Sequence, residues 1–264
     1  MLKDRGFNKA GSFRIPHLVI DYRGEWKSGK THQLLTAPGP IAVFSLNIGT
    51  CGVMEKFAKE KDIYVKQYHI PLGFKKIAKT ISRKAAEQDD RNPLNLNIND
   101  AIEIWEEFKA DYYAAMRDPD IKTIGIDAGT DAYALIRVAR FGKLDQVDSH
   151  LYGPVYLEFS HLIRSVFDSD GKPIKNLITT HELKDEYKKY DNPMGKPIEM
   201  RTGERILDGY RKFGHLVQIN CQCFKRDGEF VVKILDCRDT ADFDGLELIG
   251  SDANFDTLKN LIIG

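Results

Sequence analysis

Apolar positions along this chain fall alternately into short runs and helix-spaced stripes. His17-Leu-Val-Ile-Asp-Tyr22, Ile41-Ala-Val-Phe-Ser-Leu46, Thr123-Ile-Gly-Ile-Asp127 and Asn176-Leu-Ile-Thr-Thr180 are short β-branched or apolar runs. Turn residues such as Pro38-Gly39-Pro40 bound them. Both faces of each run are largely apolar, the pattern of strands in a parallel sheet covered by helices. Between them the spacing predicts helices over Lys30 to about Leu35, Gly52 to about Lys61, Asp100 to Arg117 and Pro154 to Phe167. The third is the clearest. Ile102, Trp105, Phe108, Tyr112 and Met116 recur at three- and four-residue steps behind a D-x-x-E start at Asp100 and Glu103. Pro154 stands at a first helical position, where a missing N–H costs least. The C-terminal third changes period. Leu216 to Phe224 alternates, turns at Asp227-Gly228 and returns over Glu229 to Cys237, which predicts an antiparallel hairpin. Residues 87–99 and 184–205 read as the least structured stretches. The expectation is an α/β domain over 16–264, preceded by an N-terminal arm over 1–15. Its mostly parallel sheet is flanked by helices and extended by the C-terminal hairpin.

Composition narrows the class. The chain has 264 residues, 42% of them apolar, enough for a sizeable core. Lys plus Arg and Asp plus Glu each total 39, so the net charge is zero and no bulk positive field exists to coat duplex nucleic acid. No run approaches the ~18 apolar residues of a membrane span, and the basic start has no apolar stretch behind it to act as a secretory signal. Four cysteines, Cys51, Cys221, Cys223 and Cys237, are too few for a disulfide scaffold and fit a reducing, cytoplasmic setting. Cys221-x-Cys223 lacks the second close pair that a zinc site needs.

One motif carries chemistry. Gly24-Glu25-Trp26-Lys27-Ser28-Gly29-Lys30-Thr31 fits G-x-x-x-x-G-K-[ST] between a predicted strand and a predicted helix. Such a loop turns its backbone N–H groups around a phosphate, and its glycines permit angles that side chains forbid. Lys30 would reach the β- and γ-phosphates of ATP, and the Thr31 hydroxyl would ligate Mg²⁺. A phosphate-binding loop also needs an acid for the magnesium. Asp127, ending an apolar strand, fits that role at the sheet edge where α/β proteins bind ligands.

The order of phosphate loop, second strand, acidic strand end, polar-ended strand and hairpin resembles the RecA-like P-loop ATPase core over roughly residues 15–240. It is most similar to the compact bacteriophage ATPases of single-strand annealing and recombination. The narrower likeness rests on chain length, Ala37-Pro-Gly-Pro-Ile-Ala-Val43, the Trp105-bearing segment and Asn176-Leu-Ile-Thr-Thr-His181. It implies a magnesium-dependent, ATP-binding hydrolase acting with single-stranded DNA in phage recombination, and a phage single-strand-binding protein as a possible partner. It also implies that the sensor strand lies between the strands of the phosphate loop and of Asp127, so that Thr180 and His181 would face the γ-phosphate. The segments Phe141–Tyr152 and Glu182–Arg205 would be mobile DNA-binding loops. The second interleaves Tyr187 and Tyr190 with Lys184, Lys188, Lys189, Lys196 and Arg201, as single strands require, yet Glu182, Asp185, Glu186, Asp191, Glu199 and Glu204 cancel its charge. Lys75, Lys76, Lys79, Arg83 and Lys84 form a second basic run. In a homo-oligomer, Lys233 or Arg238 of one copy would complete the site of the next.

The chain departs from the RecA-like pattern at the end of the second strand, where Asn47 stands in place of a water-activating acid. An amide does not act as a base at neutral pH. Glu55 or Asp131 could substitute, and slow hydrolysis is the expectation. A nucleotide-gated binding protein with little turnover and a small-molecule P-loop kinase are the alternatives, the latter arguable from Arg201, Arg205 and Arg211.

Overall fold

The computed structural model describes residues 17–47, 51–68, 98–141, 149–191 and 197–263. The arm over 1–15 and the basic run from Lys75 to Lys84 lie outside them, as does most of Phe141–Tyr152. In chain order the elements are β1 (Val19–Gly24), α1 (Lys30–Thr36), β2 (Ile41–Ser45), α2 (Cys51–Phe57), β3 (Ile63–Gln67), α3 (Ile98–Arg117), β4 (Thr123–Asp127) and α4 (Gly129–Phe141). Then come α5 (Gly153–Arg164), β5 (Asn176–Asp191), β6 (Pro197–Leu207), β7 (Ile219–Arg226), β8 (Glu229–Cys237), β9 (Glu247–Ile249) and α6 (Phe255–Ile263).

The strands run in the order β3-β2-β4-β5-β1-β7-β8-β9, parallel from β3 through β7 and antiparallel at β8 and β9. This is the expected α/β arrangement: a mostly parallel sheet, flanked by helices, ending in antiparallel strands. β5, which carries Thr180 and His181, lies between β1 and β4, the place expected of it.

Period-two alternation sorts the strand residues between two cores. Ile20, Tyr22 and Ile178 pack with Leu34 and Leu35 of α1, Met54 of α2 and Phe255 of α6. Val19 and Leu177 point the other way, onto Trp105, Phe108 and Tyr112 of α3 and the buried faces of α4 and α5. The predicted stripe of α3 holds from Trp105 to Met116, but Ile102 is exposed and Ala101 is buried in its place. Trp105 is 2% exposed and its indole N–H donates to Glu158 at 2.7 Å, so burial leaves no orphan donor.

Of the segment from Glu182 to Arg205, residues 182–191 and 197–205 are strand rather than loop, and Lys196 lies outside the described residues. β5 continues to Asp191 and pairs antiparallel with β6, forming a ribbon that leaves the main sheet. Its polar sequence hid the strands, because a two-stranded ribbon wet on both faces has no apolar alternation to show. The charges counted as cancelling are paired along it: Arg201 with Asp185 at 2.5 Å, Lys188 with Glu186 at 3.2 Å and Lys189 with Glu199 at 3.7 Å.

Candidate functional site

The phosphate-loop motif spans the end of β1 and the start of α1. Gly24 is wedged: a Cβ there would stand 2.4 Å from the Cys223 carbonyl oxygen and 2.5 Å from Ser28 Oγ. The chain then turns through left-handed backbone at Lys27 (φ 59°) and Gly29 (φ 97°). A side chain at Gly29 would also strike the Phe230 ring at 2.6 Å. Inside the turn the Ser28 N–H donates to the Glu25 carbonyl at 3.3 Å. Lys30 lies across the loop, its ammonium donating to the carbonyls of Gly24 at 2.9 Å and Glu25 at 2.8 Å. Burial lowers its pKa, and the neighbouring charges that oppose this are led by Glu182, with Asp127 and Glu25 among them.

Strand order brings Asp127 to this loop. β4 ends at Asp127, which is 3% exposed. The Thr31 hydroxyl donates to Asp127 Oδ2 at 3.0 Å and the Thr180 hydroxyl to Oδ1 at 2.5 Å. Leu34 of α1 packs against Gly125, where a Cβ would meet it at 2.8 Å, so a glycine in β4 lets the helix approach. Thr31 and Asp127 thus present hard oxygen donors side by side, a set that suits a magnesium ion whose other ligands are phosphate oxygens and water. Among the described residues, no group of three His, Cys, Asp or Glu side chains could hold a metal without such help.

Thr180 and His181 do not face the same way. Adjacent strand residues point to opposite faces. Thr180 shares the α1 face with Ile178, while His181 packs on Phe213 with ring centroids 4.3 Å apart. His181 is fully buried, its Nδ1 lies 2.6 Å from Asp21 Oδ1, and a Cβ on Gly129 would approach its Nε2 to 2.5 Å. Both residues are fully buried, and the strand's alternation sets Thr180 on the face of α1 and His181 on the opposite one, so the two cannot face one phosphate together.

Parity exposes a residue that sequence reasoning took only for a cancelling charge. Glu182, two beyond Thr180, returns to the α1 face and pairs in register with Gly24. It accepts a hydrogen bond from the Trp26 indole at 2.7 Å, and its backbone N–H donates to Thr130 Oγ1 at 3.0 Å. Glu25 pairs with Arg205 of β6 at 2.5 Å, so the ribbon meets the loop twice.

The remaining candidates scatter. Asn47 lies at the end of β2 beside β4 and its carbonyl accepts from Ser45 Oγ at 2.9 Å. Asp131, in the first turn of α4, is pushed up to about 7 by burial and by the charges of Glu182, Asp127 and Asp208. Glu55 is exposed on α2. Lys233 lies on β8 opposite Gln222. Arg238 is at the other end of the sheet from the loop, donating to the carbonyls of His215 at 3.0 Å and Val217 at 2.9 Å. Cys221, Cys223 and Cys237 are free and buried, and burial pushes the Cys221 and Cys223 thiols up. Among the described residues, no helix is long and apolar enough to cross a membrane.

No protein-family model matches the sequence, and no curated protein matches it. Among solved structures, the chain is similar to one described as a prototypical ATPase from the type III secretion system of pathogenic bacteria. The identity is 12% and the TM-score 0.39. The match covers 78% of this chain and 51% of that one, so the chain spans about half the length of that protein.

Proposed function

We propose that this protein is a P-loop ATPase that binds Mg·ATP at the turn from Gly24 to Thr31 and hydrolyses it. The observation that carries the reading is the meeting of Thr31 and Asp127 at 3.0 Å beside Lys30. These residues come from 96 positions apart and meet where a triphosphate held by Lys30 would need its cation. When bound, magnesium offsets negative charge on the phosphate oxygens. Lys30 holds the β- and γ-phosphates by exchanging its two loop carbonyls for phosphate oxygens. Thr180, fixed through Asp127, reads the terminal phosphate. Binding of a fluorescent ATP analogue to wild type and Lys30→Ala tests this. A loss of affinity of at least tenfold in the variant is expected, and equal affinity would refute the assignment.

The finer reading couples this cycle to single-stranded DNA in phage recombination. It is supported by the resemblance described above and by the ribbon, where Tyr187 is 58% and Tyr190 49% exposed among Lys184, Lys188 and Lys189. Exposed rings beside lysines offer stacking and charge together. ATPase rates and binding with and without single-stranded DNA at low salt test it, and the absence of both stimulation and binding would remove it. In an assembly of copies, Lys233 is better suited than Arg238 to complete a neighbour's site, since two carbonyls hold Arg238. A second reading, nucleotide-gated binding without turnover, draws on Asn47. Tight binding with no cleavage in a single-turnover assay would select it.

A further inference from the structure

An amide at the end of β2 leaves the attacking water without a base on that strand. Three geometric facts converge on one carboxylate elsewhere. Register places Glu182 beside Gly24, the first residue of the phosphate loop. Alternation along β5 turns it to the same face as Thr180, whose hydroxyl holds Asp127 at 2.5 Å. Two anchors then fix its position: the Trp26 indole on its Oε1 at 2.7 Å and the Thr130 hydroxyl under its backbone N–H at 3.0 Å. A third contact comes from the Asp208 N–H, which donates to the Glu182 carbonyl at 2.8 Å. The residue is thus held from the loop, from the start of α4 and from the end of β6, at the junction of all three.

From this geometry we propose that Glu182 is the general base of hydrolysis, supplying from β5 the carboxylate that β2 lacks. The attacking water sits between Glu182 and the terminal phosphate gripped by Lys30. Its oxygen forms the bond to the γ-phosphorus while Glu182 takes one of its protons. The bond from that phosphorus to the β,γ-bridging oxygen breaks, and its electron pair leaves with ADP. Glu182 then gives the proton to the released phosphate. The Trp26 indole occupies one lone pair of Oε1 and leaves Oε2 for the water.

The rivals are placed less well. Glu55 is exposed on α2. Asp131 is carried by α4, where its backbone N–H donates to the Ala128 carbonyl, and no hydrogen bond ties it to the phosphate loop as Trp26 ties Glu182. The proposal rests on the ATP reading above and also explains the short link between β5 and the loop.

The test is Glu182→Gln in the full chain, with melting temperature as the fold control. Gln keeps an oxygen that accepts from Trp26 but cannot take a proton. Expected are a fall in kcat of about 10²-fold or more, as for loss of a general base, an ATP Kd within threefold of wild type, and partial recovery in Glu182→Asp. A fall of less than tenfold would overturn the proposal. So would a loss of ATP binding in the Gln variant, which would make Glu182 a loop support. If wild type binds no ATP and Lys30→Ala does not differ from it, the phosphate-loop reading itself fails, an outcome separate from any effect at Glu182. Asp131→Asn, run in parallel, is expected to keep kcat within tenfold, and a greater fall there with Glu182→Gln unimpaired would assign the base to Asp131 instead.

Discussion

His181 Nδ1 and Asp21 Oδ1 lie 2.6 Å apart, both side chains fully buried between β1 and β5 on the face away from α1. The pair does not stand alone. Thr179 donates to the same oxygen at 3.1 Å, Arg23 reaches Asp21 Oδ2 at 3.2 Å and also bonds Asn220, and Asn220 donates to Asp236 at 2.6 Å. A polar seam therefore crosses four strands beneath the site. Removing His181 would take from Asp21 its nearest hydrogen-bond partner in a place water cannot reach, while Arg23 and Thr179 remain, a change that typically costs about 1–3 kcal/mol. His181→Ala is expected to lose stability on that order in urea denaturation, and Asp21→Asn less, because it also removes the charge. Equal losses would show that packing on Phe213, not charge, is what His181 supplies.

The seam also has a pH signature. Burial raises Asp21, but the charge and hydrogen bond of His181, with Arg23 and Thr179, outweigh it and leave the carboxyl lowered from its ordinary value. A carboxyl lowered in the fold contributes stability above its unfolded pKa and loses it as pH falls through the folded value. Unfolding free energy should therefore decline as pH drops below about 4, and the decline should shrink in Asp21→Asn.

Asp131 has the opposite sign. Held up to about 7, it keeps a proton in the fold that the unfolded chain releases near pH 4. Its contribution to stability falls as pH rises from about 4 to about 7 and stays low above. Asp131→Asn is expected to raise the melting temperature at pH 8 and leave it nearly unchanged at pH 4.5, a difference on the order of 1 kcal/mol or more. Thermal melts at the two pH values decide it, and an equal shift at both would mean that the charges of Glu182, Asp127 and Asp208 do not bear on Asp131 as described.

How much of this was legible beforehand depends on which side of the sheet a residue faces. β4 matched its predicted span because Thr123 to Asp127 is buried on both sides, preceded by exposed Lys122 and followed within two residues by Gly129. The loop motif was legible because its glycines and Lys30-Thr31 are a local pattern. The ribbon was not, since Lys184 to Tyr190 is mostly polar and its strand form comes from pairing with β6. α4 was missed although Ala132, Leu135, Ile136 and Ala139 recur at helical steps, because burial extends to Tyr133 and Val138 and blurs a single stripe. The facing of His181 and that of Glu182 were hidden by one cause. Extending the period of two from Thr180 turns His181 away and brings Glu182 in, but that requires knowing that β5 does not stop at Thr180.

The last prediction concerns the cation. Thr31 and Asp127 are joined to each other, and Asp127 is also joined to Thr180, so removing either donor of the pair has two effects. It takes an oxygen from the ion, and it loosens the contact that fixes β4 against α1. Thr31→Ala has both effects but leaves the Thr180 bond to Asp127 in place, and of the two only the loss of the ion's oxygen depends on magnesium. Its ATP affinity is expected to fall about tenfold with magnesium present, near 1.4 kcal/mol, and to differ little from wild type in EDTA. Asp127→Asn keeps the shape of the side chain but not its charge, and should show the larger magnesium-dependent loss, because a hard cation draws more from a carboxylate than from an amide oxygen. Nucleotide titrations at fixed and zero magnesium separate these cases. A loss of the same size in both buffers would place the effect in the packing of β4 on α1 and take the cation away from this pair.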